Sequence, residues 1–112
     1  MTYDTLPTSA TIGDFCGKVW HVDCMDLLRA LPDSSIHMVL CDLPYGVTAA
    51  AWDTIIPFEP MWKELKRVTT KKSAMVFTAT QPFTSKLVSS NYAMFKEELI
   101  WQKNGGGGLS QC

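Results

Sequence analysis

Apolar and polar positions along the chain fall into blocks whose spacing predicts strand, helix, strand, helix, strand, helix, strand. Lys18-Val19-Trp20-His21-Val22 combines β-branched and aromatic residues over strand length. Cys24, Leu27, Leu28 and Leu31 then recur at the spacing of one helix face, and Pro32 stops that helix. Ile36-His37-Met38-Val39-Leu40-Cys41 is a nearly unbroken apolar run, bounded upstream by the turn residues Pro32-Asp33-Ser34-Ser35. A strand apolar on both sides predicts a sheet covered on both faces, and therefore a parallel α/β arrangement. Asp42-Leu43-Pro44-Tyr45-Gly46 leaves the carboxyl end of that strand, the edge at which such sheets collect ligands.

Downstream, Pro57 and Pro60 suit the first turn of a helix, and Met61, Leu65 and Val68 give it a buried stripe. Lys71 and Lys72 read as the turn into a third strand, Ser73 to Thr78. A helix opens at Pro82 with Phe83 and Leu87 facing the core, and Glu98 to Gln102 reads as a last strand before Gly105 to Gly108 end regular structure. Residues 1–17, rich in Thr with scattered Pro and Gly, read as a leader that is loosely ordered or lies over the surface.

Composition narrows the class. The 112 residues are 46% hydrophobic with a formal charge of -1, which predicts one folded domain without a global basic field. A mean hydropathy of +0.03 agrees with a folded chain. Cys16, Cys24, Cys41 and Cys112 form no Cys-x-x-Cys pair, and neither His21 nor His37 has ligand spacing, so no metal site is expected and reduced thiols are. No secretory signal pattern or membrane-length apolar run is present, which predicts a cytoplasmic protein with no membrane partner.

The chemistry-bearing residues are Asp42-Leu43-Pro44-Tyr45, with Gly46, Trp52-Asp53, Ile56-Pro57-Phe58, Met61-Trp62, Gln81-Pro82-Phe83-Thr84-Ser85-Lys86 and Trp101-Gln102-Lys103 following in order. Over positions 18–104 this resembles the DNA amino-methyltransferases, the adenine-N6 and cytosine-N4 enzymes with an Asp/Asn/Ser-Pro-Pro-Tyr signature. The phage and prophage members, in which this motif precedes the cofactor half, are the most similar. The resemblance implies a Rossmann-like α/β fold, S-adenosylmethionine as cofactor, and double-stranded DNA with a flipped adenine as substrate. Asp at position 42 points to adenine over cytosine.

An exocyclic amino nitrogen has its lone pair delocalised into the ring. Two acceptors aimed at its N–H groups favour the tetrahedral nitrogen of the transition state and offset its developing charge. The resemblance gives these roles to the Asp42 carboxylate and the Leu43 carbonyl, and places both next to the cofactor as well. Tyr45 would stack on the flipped base. Leu43 stands where the family has its first proline, but residue 43 acts through its carbonyl, and Pro44 still holds it extended.

Other positions admit two readings each. Asp23 is a helix N-cap or the acidic residue that contacts the cofactor's adenine. Trp52 flanks the target base or packs its loop. Gln81 and Phe83 line the cleft, or Pro82 and Phe83 are only helix start and core. Lys63, Lys66, Arg67, Lys71 and Lys72 reach phosphates or form a solvated face.

No glycine-rich strand-to-helix turn precedes Gly105, and in the resembled order that cofactor loop lies further on. The expected organisation is a leader over 1–17, a partial catalytic domain over 18–104 and a glycine-rich truncated tail over 105–112. The cofactor-loop half is then missing, and a second polypeptide supplying it is an expected partner. The alternative is a catalytically inactive remnant or a partner-dependent fragment; RNA or protein-amide methylation is a third reading.

Overall fold

The computed structural model describes residues 2–8 and 11–104; the Gly105–Gly108 run and Cys112 lie outside the described residues. The elements are β1 (Thr2–Tyr3), a 3-10 turn (Ile12–Asp14), β2 (Val19–Trp20), α1 (Cys24–Ala30), β3 (Ile36–Asp42), α2 (Phe58–Val68), β4 (Thr69–Thr78), α3 (Phe83–Ser90) and a second 3-10 turn (Tyr92–Met94). The chain is a mixed α/β protein in two compact units, residues 1–41 with 57–77 and residues 42–56 with 78–112.

In the first unit the caps and stripes follow the sequence. Asp23 accepts a hydrogen bond from the Met25 N–H at 2.8 Å and starts α1. Met61, Leu65 and Val68 are buried on one face of α2. Phe15, Leu31 and Val68 form a buried cluster against which Leu6, Ile12, Trp20 and Ile36 pack. Arg67 joins the helices. Its guanidinium donates to the carbonyls of Leu28 at 2.7 Å and Leu31 at 2.8 Å at the end of α1, where Leu28 also accepts the Leu31 N–H at 3.2 Å. The same group pairs with Asp33 at 2.6 Å and Glu64 at 3.1 Å, and these carboxylates hold its pKa above the usual value.

Four sequence expectations are corrected. Of the two expectations for the N-terminal segment, loose order does not hold for its described residues: Thr2 and Tyr3 pair in parallel with Val19 and Trp20, and Phe15 enters the core because its ring finds the Trp20 indole 5.6 Å away. Lys71 and Lys72 lie within β4, which begins at Thr69, because Val68 already ends α2. Among the described residues the expected α/β sheet is two separate pairs, β1 with β2 and β3 with β4. Glu98 to Gln102 forms no strand, since a strand needs a partner's backbone, and Leu99, Ile100 and Trp101 are each about four-fifths exposed.

Backbone contacts show that β3 and β4 start together, the Ser35 N–H donating to the Val68 carbonyl at 2.8 Å, and they end together at Asp42 and Thr78. They therefore run parallel, with α2 as the crossover. One face is covered, where Trp62 of α2 meets Phe77 edge-on at 5.4 Å. The other is not: Met38 is 53%, Leu40 70% and Val76 40% exposed, so the expectation of a strand buried on both faces holds for one face only.

Candidate functional site

The candidate site lies wholly in the second unit. β3 ends in Asp42 and β4 in Thr78, and their parallel pairing sets the two side chains beside each other. The Thr78 hydroxyl donates to Asp42 Oδ1 at 2.6 Å and accepts from the Tyr45 hydroxyl at 2.8 Å; Tyr45 also lies 3.3 Å from the same Oδ1. Burial pushes the Tyr45 phenol up, the nearby Asp42 carboxylate adds to this, and the Thr78 hydrogen bond opposes it. Tyr45 is therefore a neutral donor at physiological pH. Its ring rests on Phe83 at 5.2 Å between centroids, tilted 34°.

After Tyr45 the chain folds over itself. Gly46 has φ +72°, a left-handed conformation, and an added Cβ would stand 2.9 Å from Ile55 Cγ1, so both backbone and space require glycine. This turn aims three successive N–H groups at Asp53: Gly46 at 2.9 Å, Val47 at 2.9 Å and Thr48 at 2.7 Å. Asp53 is 7% exposed. The Gly46 N–H above all, helped by the Thr48 hydroxyl and the Thr48 and Val47 N–H groups, holds its carboxyl at about 2 against the opposing effect of burial.

That depression has a pH consequence. A carboxyl with a folded pKa below its ordinary 3.8 contributes stability that is fully present above the ordinary value and is lost as pH falls through about 2. The loop is therefore expected to stay closed at pH 4 and to open on approach to pH 2. Amide proton shifts of Gly46, Val47 and Thr48, followed by NMR during acid titration, should move together with a midpoint well below 3.8. A midpoint at the ordinary carboxylate value would show that the carboxylate does not hold the loop.

Asp42, Leu43, Pro44, Tyr45, Trp52 and Asp53 line a cavity of about 340 Å³. It lies at the small end of ligand pockets, roughly 300–1,000 Å³. Leu43 is 7% exposed, so its side chain serves the core and only its backbone can serve the cavity. Trp52 lies at the cavity wall, 76% exposed.

Several sequence-predicted residues are placed elsewhere. Phe83, expected to touch substrate, is 2% exposed and supports Tyr45 from within the core. Gln81 is exposed, and its Oε1 accepts from the Ser85 N–H at 3.1 Å and the Ser85 hydroxyl at 2.8 Å at the start of α3. Arg67 is engaged by Asp33 and Glu64, while Lys63, Lys66, Lys71 and Lys72 are solvated. Thr78 was not singled out by sequence reasoning, although a hydroxyl on the final residue of a strand next to an acidic strand end was a usable signal. Among the described residues no group of three or more His, Cys, Asp or Glu side chains could hold a metal ion. No described helix is long and apolar enough to cross a membrane.

The chain is similar to the type II methyltransferase M1.MboII of Moraxella bovis, 23% identical over 104 residues. The match covers 84% of this chain and 40% of that relative, so the chain spans less than half the relative's length. No family model matches, and no solved structure does.

Proposed function

We propose that this chain acts in DNA adenine-N6 methylation, with residues 18–104 as the catalytic portion of a Rossmann-like methyltransferase and the Asp42 to Tyr45 turn as its amino-activating site. The observation that carries the proposal is the Asp42 carboxylate, which lines the 340 Å³ cavity and is anchored through Oδ1 to the Thr78 hydroxyl at 2.6 Å. Among the described residues no donor reaches its Oδ2, which is left to accept an N–H from substrate. The similarity to a type II methyltransferase supports the same reaction class.

In this reading a flipped base enters between Tyr45 and Trp52. Asp42 Oδ2 and the Leu43 carbonyl accept the two amino hydrogens. They draw the nitrogen toward tetrahedral geometry and take up its positive charge as it develops. Pro44 keeps residue 43 extended, and burial of the Leu43 side chain holds the carbonyl's owner in place.

S-adenosylmethionine is the methyl donor this reaction calls for. Among the described residues, Asp42 and the Leu43 backbone on the cavity wall are the ones that would touch it; Asp23 accepts the Met25 N–H in its helix cap, and no glycine-rich strand-to-helix turn is present. The chemistry assigned to this chain is therefore confined to holding and activating the amino group.

The test is to incubate the folded chain, verified by a melting transition, with labelled S-adenosylmethionine and unmethylated duplex DNA, then to digest and separate the bases. N6-methyladenine is expected. N4-methylcytosine would move the target base, label in RNA or protein would change the substrate, and a folded chain yielding no labelled product fits an inactive remnant instead.

A further inference from the structure

We infer that Thr78 is a positioning residue for this reaction, its hydroxyl setting both the Asp42 carboxylate and the Tyr45 ring that form the amino-activating site. The inference rests on the methyltransferase reading and adds to it a residue outside the motif.

Asp42 is solvent-exposed, so nothing in its own burial fixes the rotation of its carboxylate. The only short contacts among the described residues come from Thr78 at 2.6 Å and, more weakly, Tyr45 at 3.3 Å, and both reach Oδ1. A hydroxyl-to-carboxylate bond of that length is charge-assisted and directional. It ties down one oxygen and thereby aims the other. Thr78 is half-buried and β-branched, and the branch stiffens its first side-chain torsion on a strand, so the hydroxyl is held rather than freely rotating.

The same oxygen accepts from Tyr45 at 2.8 Å. Tyr45, Thr78 and Asp42 thus form a relay of donors running from phenol to hydroxyl to carboxylate, in which each bond polarises the next. Phe83 supports the Tyr45 ring and Thr78 fixes its far end, so the ring's tilt and the carboxylate's rotation are set by one side chain. Thr78 does not line the cavity itself, which makes its role indirect.

The experiment compares wild type, Thr78→Val and Thr78→Ser in methyl transfer to unmethylated DNA. Valine keeps the branched shape and removes the hydroxyl; serine does the reverse. Loss of alignment should lower kcat in Thr78→Val by about 10²-fold, the scale of an ångström-size misplacement. The DNA concentration for half-saturation should be unchanged, and Thr78→Ser should recover most of the rate. If Thr78→Val melts well below wild type, Thr78→Ala is compared with Thr78→Ser, a pair that differs chiefly in the hydroxyl. An active wild type with an unimpaired Thr78→Val, an equal fall in the valine and serine variants, or a change in half-saturation alone would overturn the positioning role while leaving the site's reading intact. A folded wild type that transfers no methyl group would overturn that reading, and the role of Thr78 with it.

Discussion

Asp42→Ala should reduce methyl transfer to DNA by at least about 10²-fold, about 3 kcal/mol of transition-state stabilisation, the scale measured when one preorganised charge-stabilising group is removed. The loss is electrostatic in origin. Its acceptor oxygen does little for a resting amino group, but it gains value as positive charge grows on the nitrogen. The loss should fall on kcat, with DNA binding and melting temperature nearly unchanged, because Asp42 is exposed and Thr78 and Tyr45 can exchange it for water. Asp42→Asn keeps an acceptor oxygen of the same shape and should fall less than alanine. Near-normal methylation by Asp42→Ala would remove Asp42 from the chemistry altogether.

Phe83→Ala is expected to be the most destabilising single change in the second unit. The side chain is 2% exposed and among the largest fully buried ones. Removing such a ring costs about 3–5 kcal/mol, through lost transfer energy and the cavity left behind. Against a typical total of about 5–15 kcal/mol that is a large fraction of stability. The Tyr45 ring loses its support at the same time. Urea denaturation of Phe83→Ala and Phe83→Leu measures this, with leucine expected to recover much of the loss by refilling the space. An alanine variant as stable as wild type would mean that Phe83 is not a core residue.

The helices were legible in the sequence because their determinants are local. The stripe of Met61, Leu65 and Val68 and the pair Phe83 and Leu87 are buried as their spacing predicts. Asp23 caps α1 through an N–H two residues away. Strand partners are not local. Nothing in Thr2-Tyr3 names Val19-Trp20 as its neighbour, and nothing in the apolar run Leu99-Ile100-Trp101 reveals that it pairs with no strand among the described residues. The site divides along the same line. Asp42 to Tyr45 is contiguous and could be read as one motif. Thr78 joins it from 36 residues away only because β3 and β4 end side by side. Asp53 was visible as a letter beside Trp52, but its work depends on the left-handed turn at Gly46.

The turn around Asp53 also decides what kind of group the cavity favours. Successive backbone N–H groups converging on one point form a nest, the arrangement proteins use to seize phosphate. Here the nest is filled from within, by a carboxylate that stays ionised down to about pH 2. Its donors are spent, and its charge adds to that of Asp42 on the same wall. A phosphodiester approaching this loop meets two carboxylates, and the Gly46, Val47 and Thr48 amides are already engaged. A flat, neutral group bearing hydrogens to donate meets two acceptors and an aromatic face. In the proposed reading the loop thereby sorts a nucleotide's two ends, turning away the backbone and admitting the base.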